Sequence, residues 1–544
     1  MRLTPGWLTS YPRAWLVPDV LAGIIVWSVV VPQACAYAQI AGLPPSAGLA
    51  AAPGALLAYA LLGTSRSLVV SATTATSALS AAAVGPLADG DGVTFAALSA
   101  ALALVAGAVL IVAGLVHAGK LMDFVPKTVM TGFLFGLGLV VALGQLPKVF
   151  GVASGSGDFF EQLRDLLQHL DDTSASTLVV GLGSAVALIA FQRLEPRLPG
   201  TLIVLVGSIV LSAILDLSAN GVDVVGELPD AAPDLALPDV GWGDLVDLLP
   251  AAFGVMIVSA EAAAVSRSIA SSQGYEVDVN RDIVALGASN LAAGLSSGFV
   301  QSGGASQTLA AERAGGKTQL VSLIAASLIL LTGLFLAPFF EDLPQATLAA
   351  IVIVAIAGFY RVDELRRFAR LRRSAVVLAL VALGGVLAFG VLPGLLLAVA
   401  LSVVELLQRL GSPAVSVLAR DPVSGVWRDR DRHLDWQQAP AETLVVAVEG
   451  PVFFANSSAV KDRILEHVQT GTAVVVLDLS RNDEADVQGL DMLGELQAAL
   501  SVRGVELRLA AVHAHVRELL ERAGSAIAVE PTIDAALRRP PENV

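Results

Sequence analysis

Four features of this chain place polar chemistry inside apolar sequence. Residues 71–77 read Ser-Ala-Thr-Thr-Ala-Thr-Ser and residues 303–308 read Gly-Gly-Ala-Ser-Gln-Thr, each at the start of a short apolar stretch. A helix N-terminus carries unpaired N–H groups and about half a positive charge. Two such ends facing each other would hold an anion without a cationic side chain, through the backbone N–H groups and the hydroxyls of the two segments, whose small residues allow close backbone approach. The same small residues would also serve tight helix packing. The third feature is Glu261, in LLPAAFGVMIVSAEAAAVSRSIA (248–270). A carboxyl at membrane depth is costly and points to function by default. It could carry a proton, or be a structural acid fixed by backbone N–H groups or by Arg267. The fourth is the pair Gln33 and Tyr37, four residues apart and so on one helix face. That face would point at the half-helices or make ordinary interhelical hydrogen bonds.

These groups need a membrane scaffold. The 544 residues are 55% hydrophobic and 15% charged, with a mean hydropathy of +0.73, outside the range of soluble globular chains. Fourteen apolar cores are expected, at 18–38, 45–62, 72–86, 94–117, 126–147, 176–192, 200–216, 247–270, 283–298, 304–312, 319–340, 344–360, 374–391 and 393–410. Most approach the ~20 residues that cross a hydrocarbon layer of ~30 Å. The third and tenth are too short or too polar, and they occupy matching places in two sets of seven. Interrupted segments so placed are the best sequence pointer to a transport site. The net charge of −15 argues against nucleic-acid binding, and the single Cys35 excludes an intrachain disulfide and suggests no metal or redox site. No nucleophile–base pair or metal-ligand cluster appears in the spans, so no enzyme is expected. The run Gly315-Gly316-Lys317-Thr318 imitates the end of a phosphate loop but lacks its upstream Gly and strand. His117 and Lys120 read as membrane-edge anchors, and Asp89 and Asp91 as solvated turn residues.

Residues 361–373 hold six Arg, and Arg2, Arg13, Arg66, Lys120, Lys127, Arg193 and Arg197 fall on the same side if the spans alternate. Residues 218–246 carry Asp223, Glu227, Asp230, Asp234, Asp239 and Asp244 with no Lys or Arg. The positive-inside rule then puts the N-terminus and the C-terminal region in the cytoplasm, with Lys148 as the exception on the outer side. The N-terminus lacks the order of a cleavable signal peptide, so the first span is expected to serve as its own insertion signal. Residues 1–412 read as the transmembrane domain, 413–442 as linker and first strand, and 443–544 as a small α/β domain. Its strands are expected at 443–448, 451–454, 473–480 and 505–512, with helices near 456–468, 488–502 and 514–523.

The stretch 31–66, VPQACAYAQIAGLPPSAGLAAAPGALLAYALLGTSR, resembles the first signature of the SulP anion transporters. The stretch 274–320, GYEVDVNRDIVALGASNLAAGLSSGFVQSGGASQTLAAERAGGKTQL, looks like the second, and the C-terminal region is similar to STAS domains. The resemblance implies an all-α membrane domain of fourteen segments in seven-plus-seven inverted repeats, divided into core and gate, plus a C-terminal α/β STAS domain. The count of fourteen leans partly on it, since hydropathy alone would also give twelve. It implies substrate held between the third and tenth helices by Gln33, Tyr37, Ser71, Thr73, Thr74, Gly304, Ala305, Ser306 and Gln307, with Glu261 coupling transport to a cation. Three departures stand out: Gln307 where many relatives carry Arg, Ser71-Ala72 where many have Gly-Pro, and Ala311 where Asn is common. Losing the Arg removes a fixed charge and a bidentate donor, which disfavours bare dianions. In the STAS loop, Gln488 stands where sigma-factor antagonists carry a phosphorylatable hydroxyl.

The expectation is a secondary active transporter of inorganic anions, of the sulfate or bicarbonate class. It would work by elevator-type alternating access driven by H+ or Na+, with no cofactor. Partners are the small anion, the lipid bilayer and a second copy in a homodimer. The location is a bacterial inner membrane, read from an Ala-Leu-Arg-rich composition. A dicarboxylate or nucleobase transporter of the same fold, a passive anion channel, and a sensor signalling through the STAS domain are the alternatives.

Overall fold

The computed structural model describes Trp7 and residues 11–119, 126–153, 155, 157–195, 199–226, 235–411, 413–433 and 435–539. Arg2, Lys120, Arg197, Glu227, Asp230 and Asp234 lie outside the described residues. The chain forms two compact units, Met1–Ser402 and Val403–Val544.

In the first unit the elements run α1 (Leu16–Ile40), α2 (Pro45–Leu62), β1 (Val70–Ser71), α3 (Thr74–Ala88), α4 (Gly92–Leu115), α5 (Lys127–Phe150), α6 (Phe159–Gln168), α7 (Ala175–Leu194) and α8 (Gly200–Leu215). They continue as α9 (Trp242–Asp247), α10 (Leu249–Gln273), α11 (Val279–Leu295), β2 (Ser302–Gly303), α12 (Ala305–Arg313), α13 (Leu320–Phe335), α14 (Gln345–Ile356), α15 (Val362–Leu371), α16 (Arg373–Phe389) and α17 (Val391–Leu410). A helix occupies each of the fourteen apolar cores. Among the described residues, α1, α2, α4, α5, α7, the α9–α10 stretch and α17 are long and apolar enough to cross a membrane, and α8, α13, α14 and α16 are shorter apolar helices.

Local sequence sets the boundaries. Pro44 is extended and Pro45 opens α2, where a missing N–H costs nothing. Asp89 ends α3 in the left-handed region (φ 47°), and Asp91 caps α4 by accepting from Thr94 N–H at 2.9 Å. These two acids are therefore helix stops and starts as well as exposed turn residues, and the Thr94 bonds hold the Asp91 carboxyl below its usual range. Helices α6, α9 and α15 were not expected. The Arg-rich stretch folds as α15, with Asp363 and Glu364 in its first turn and Arg370 in its last, matching the helix dipole.

Two groups of helices pack among themselves. One has α11 against α4 and α2, and α13 against α1 and α2; the other has α5 against α16, and α14 against α7 and α5. Gly48, just after the Pro-Pro break, lets α2 meet α1: a Cβ there would lie 2.1 Å from the Ala34 carbonyl oxygen.

In the second unit a six-stranded sheet has the order β4 (Trp427–Asp429), β3 (Ala414–Arg420), β5 (Thr443–Glu449), β6 (Val474–Asp478), β7 (Glu506–Ala510), β8 (Ala528–Glu530). Strand β3 is antiparallel to β4 and β5, and β5 to β8 are parallel. Helices α18 (Ser457–His467), α19 (Val487–Ser501) and α20 (Ala514–Arg522) connect the parallel strands, and α21 (Ile533–Arg538) follows β8. Val460, Ile464, Leu493, Leu496 and Val516 cover one face with Val446, Leu477 and Leu509, while Ile533 and Ala536 cover the other with Val445, Ala447 and Val476. Residues 451–454 are not the expected strand; only Val452 bridges to Ala485. The Asn456 Oδ1 accepts from Phe453 N–H and the Asp486 carboxylate accepts from Phe454 N–H, so the backbone donors go to side chains instead of a ladder.

Candidate anion site

Strands β1 and β2 pair antiparallel, Val70 with Gly303 and Ser71 with Ser302, and each leads directly into a short helix. This pairing fixes the α3 and α12 N-termini as neighbours. Thr73 caps α3: its hydroxyl accepts from Thr76 N–H at 3.3 Å and lies 2.9 Å from the Thr76 hydroxyl. Gly304 precedes α12 with no side-chain cap, its own N–H bonded to the Val69 carbonyl at 3.0 Å. Thr308 closes the junction, donating its hydroxyl to Gly304 O at 2.6 Å and accepting from Val69 N–H at 3.1 Å. The uncapped α12 N-terminus is thus the stronger anion-facing end.

Both helix starts border one cavity of about 230 Å³, lined by Tyr37, Thr73, Thr74, Glu261, Gly304, Ala305, Ser306 and Gln307. Gln33 does not line it. It stands behind, its Oε1 accepting from the buried Gln307 amide at 2.7 Å; that same Nε2 lies 3.5 Å from the Ala72 carbonyl. Gln307 folds back over Gly304, where a Cβ would lie 1.5 Å from its Oε1, so a side chain there would push the Gln307 amide aside. Ser71 does not line the cavity; it pairs with Ser302 in the two-stranded sheet, and its buried hydroxyl has no hydrogen-bond partner among the described residues.

Arg361, which was not among the expected site residues, lines the same cavity from the connection between α14 and α15, as Glu261 does from α10. Its one sequence signal was its place as the first Arg after an apolar span, lost among six. Among the described residues no His, Cys, Asp or Glu cluster of metal-binding size occurs.

The two signatures build the frame around this cavity. The Asp19 carboxylate, fully buried at the start of α1, accepts from Lys317 N–H at 2.6 Å, the Thr318 hydroxyl at 2.6 Å and the Tyr11 hydroxyl at 2.9 Å. The Gly-Gly-Lys-Thr run therefore does hold an anion, but an internal one. Asp282 accepts from Thr64 N–H and hydroxyl, both at 2.7 Å, and from Ser266 at 3.1 Å. Gln319 donates to the Ser65 and Leu68 carbonyls at 2.8 and 2.9 Å, pinning the loop before β1. The Asn290 side-chain amide donates its Nδ2 to the Gln301 carbonyl and accepts the Gln301 N–H at its Oδ1, both at 2.9 Å, pinning the residue before β2.

A sequence profile described as the sulfate permease family matches residues 16–382, and a STAS domain profile matches residues 437–536. A Mycobacterium tuberculosis protein named a "probable sulfate transporter" is 36% identical over 518 residues, covering 94% of this chain and 92% of that one. Sulfate transporter 3.1 of Arabidopsis thaliana is 27% identical, covering 95% of this chain and 82% of that protein. Murine solute carrier 26 family member A9, an anion transporter solved in the inward-facing state, has the same fold, with a TM-score of 0.90, 23% identity, and 98% of this chain and 93% of that chain covered. The transmembrane domain of the cyanobacterial bicarbonate transporter BicA aligns with a TM-score of 0.61 and 22% identity over 72% of this chain and 98% of that chain. On the extent of these matches, this multi-pass membrane chain belongs to the sulfate permease family and carries a C-terminal STAS domain.

Proposed function

We propose that this protein is a secondary active transporter that carries an inorganic anion, of the sulfate or bicarbonate class, together with a proton. The observation that carries the reading is one cavity shared by two helix N-termini, Glu261 and Arg361. The backbone ends and the Ser306 hydroxyl supply hydrogen bonds to the anion, and Arg361 supplies the charge that Gln307 does not. When Glu261 is ionised it competes with the anion for Arg361; when protonated it releases that guanidinium. Anion and proton then favour each other's binding, a coupling that is reciprocal. Among the described residues the other charged groups near α10 are Arg267 on the helix itself, Asp244 and Asp247 on α9, Asp282 and Arg281 on α11, and Glu312 on α12, which accepts from Gln273 at 3.3 Å; the packed helices α3 and α4 carry none within their ranges.

The anion would cross by elevator movement of the α1–α4 and α10–α13 group against the α5, α7, α8, α14, α16 and α17 group. The antiparallel β1–α3 and β2–α12 units support a reading as inverted repeats. The names of the relatives support the substrate class. The basic 361–373 stretch supports a cytoplasmic N-terminus and STAS domain in a bacterial inner membrane, and the family resemblance supports a homodimer. Sodium in place of the proton is the alternative coupling. A nucleobase would need the Gln307 amide, which is engaged with Gln33.

The test is uptake of labelled sulfate and labelled bicarbonate into proteoliposomes. Arg361→Gln is expected to raise the KM of the transported anion on the order of tenfold or more, while Arg361→Lys retains part of the affinity. An unchanged KM in Arg361→Gln would remove that residue from the site.

A further inference from the structure

A second polar cluster lies at the other end of α5, away from the cavity just described. Lys127 opens α5 and pairs with Glu364 in the Arg-rich connection at 2.7 Å. Lys148, in the last turn of the same helix, is 21 residues further on, about 30 Å at a rise of 1.5 Å per residue. It is therefore at the opposite membrane face. It lines a cavity of about 940 Å³ with Gln39, Gln145, Gln162 and Asp158, and a neighbouring cavity of about 370 Å³ with Gln39 and Gln345.

Three observations single this cluster out. Among the described residues the Lys148 ammonium has one hydrogen-bond partner, the neutral Gln39 amide oxygen at 3.3 Å, and no ion pair. Gln145, 5% exposed, lines this wall; its buried Oε1 has no partner among the described residues, and its Nε2 is the group that could donate to an anion. Asp158, the one acid of this wall among the described residues, uses its carboxylate to cap α6, accepting from the Phe160 and Glu161 N–H groups at 2.9 Å. A largely buried cation left without a counter-charge is costly and is retained where it meets an anion.

We propose that Lys148, with the side-chain amides of Gln39 and Gln145, forms a capture site for a small inorganic oxyanion at the face opposite the Arg-rich connection. It is separate from the site between α3 and α12. Low-dielectric walls around one cation focus its field and raise the local anion concentration. Gln39 lies on α1, six residues after Gln33, and Lys148 lies on α5, so the Lys148–Gln39 bond also links the two helix groups at this face. An arriving anion takes the ammonium from Gln39 and loosens that link.

The experiment uses the full chain in proteoliposomes, with labelled sulfate and labelled bicarbonate as probes presented at the face opposite the Arg-rich connection. Lys148→Gln is expected to raise KM at that face on the order of tenfold, to leave the maximal rate and the KM from the other face within about twofold, and to flatten the dependence of KM on ionic strength. Lys148→Arg should stay near wild type. In a Cys35→Ala background, Lys148→Cys should show the same defect. An impermeant trimethylammonium thiol reagent should restore KM and a sulfonate thiol reagent should not. Labelling of the introduced thiol should be slowed by millimolar sulfate or bicarbonate, a readout that needs no transport. Unchanged KM in Lys148→Gln, equal rescue by both reagents, or labelling indifferent to both anions would overturn the proposal.

Discussion

Gln307 occupies the position where a cation was missed, and its surroundings give it a different task. Its amide donates to Gln33 at 2.7 Å, so a side chain of α12 ties α1 to the site. Gln307→Leu would leave the buried Gln33 amide short of a partner, a loss of about 1–3 kcal/mol. The melting temperature in detergent should fall for each single Leu variant, and the Gln33→Leu, Gln307→Leu double variant should lose clearly less than the sum of the two. Strict additivity would show that the two amides do not interact. The polar residues of the site were legible because Glu261, Tyr37 and the 303–308 run stand out against apolar neighbours. Arg361 was not, since in a run of six Arg the sequence offers no way to tell which one turns toward a cavity. The burial of Ser71 in a strand pair was equally hidden, because two-residue strands leave no periodicity to read.

At the scale of elements, the signatures act chiefly as clamps. Asp19 on α1 closes on the 317–318 loop, Asp282 on α11 closes on Thr64, and Gln319 closes on the loop before β1. The Asp282 and Gln319 clamps position the loop that leads into β1, and the Asp19 clamp fixes the connection between α12 and α13. Asp19→Ala should cost about 3 kcal/mol in folding stability, because it strands the Lys317 N–H and the Thr318 hydroxyl. Thermal unfolding in detergent checks this, and a wild-type melting curve would show the clamp to be dispensable. On the basic side, the Lys127 bond holds the Glu364 carboxyl below its usual range. A lowered carboxylate contributes stability that is present above the ordinary value of about 4.3 and is lost as pH falls through the lowered one. Glu364→Gln should therefore narrow the gap to wild type in melting temperature as pH drops from 7 toward 3. Most of the apolar cores were readable from hydropathy and Pro or Gly punctuation, while the third and tenth, short and polar, leaned on the family resemblance. Helix α15 had a signal of its own, Val362, Leu365 and Phe368 at helical spacing, masked by the Arg residues between them. The 451–454 stretch misled in the other direction: its β-forming residues suggested a strand, while Asn456 and Asp486 take its backbone donors.

At the scale of the whole molecule, two units each hold their own core. The STAS unit has apolar layers on both faces of its sheet, and the buried Arg508 binds Glu506 at 2.7 Å and the Ala536 carbonyl at 2.6 Å, fastening α21. Residues 413–539 expressed alone should melt as one cooperative transition, followed by circular dichroism; a non-cooperative melt would mean that the domain depends on the membrane unit.

Sharing of one cavity by anion and proton through Glu261 and Arg361 is measurable as accumulation of labelled sulfate and bicarbonate in proteoliposomes, with and without an inward proton gradient, for wild type and Glu261→Gln. The gradient is expected to drive wild type to concentrate one of the two anions, while Glu261→Gln, still folded, carries that anion only to equilibrium and with no proton dependence. Concentrative, proton-dependent uptake by Glu261→Gln, or a wild type that only equilibrates either anion, would contradict it.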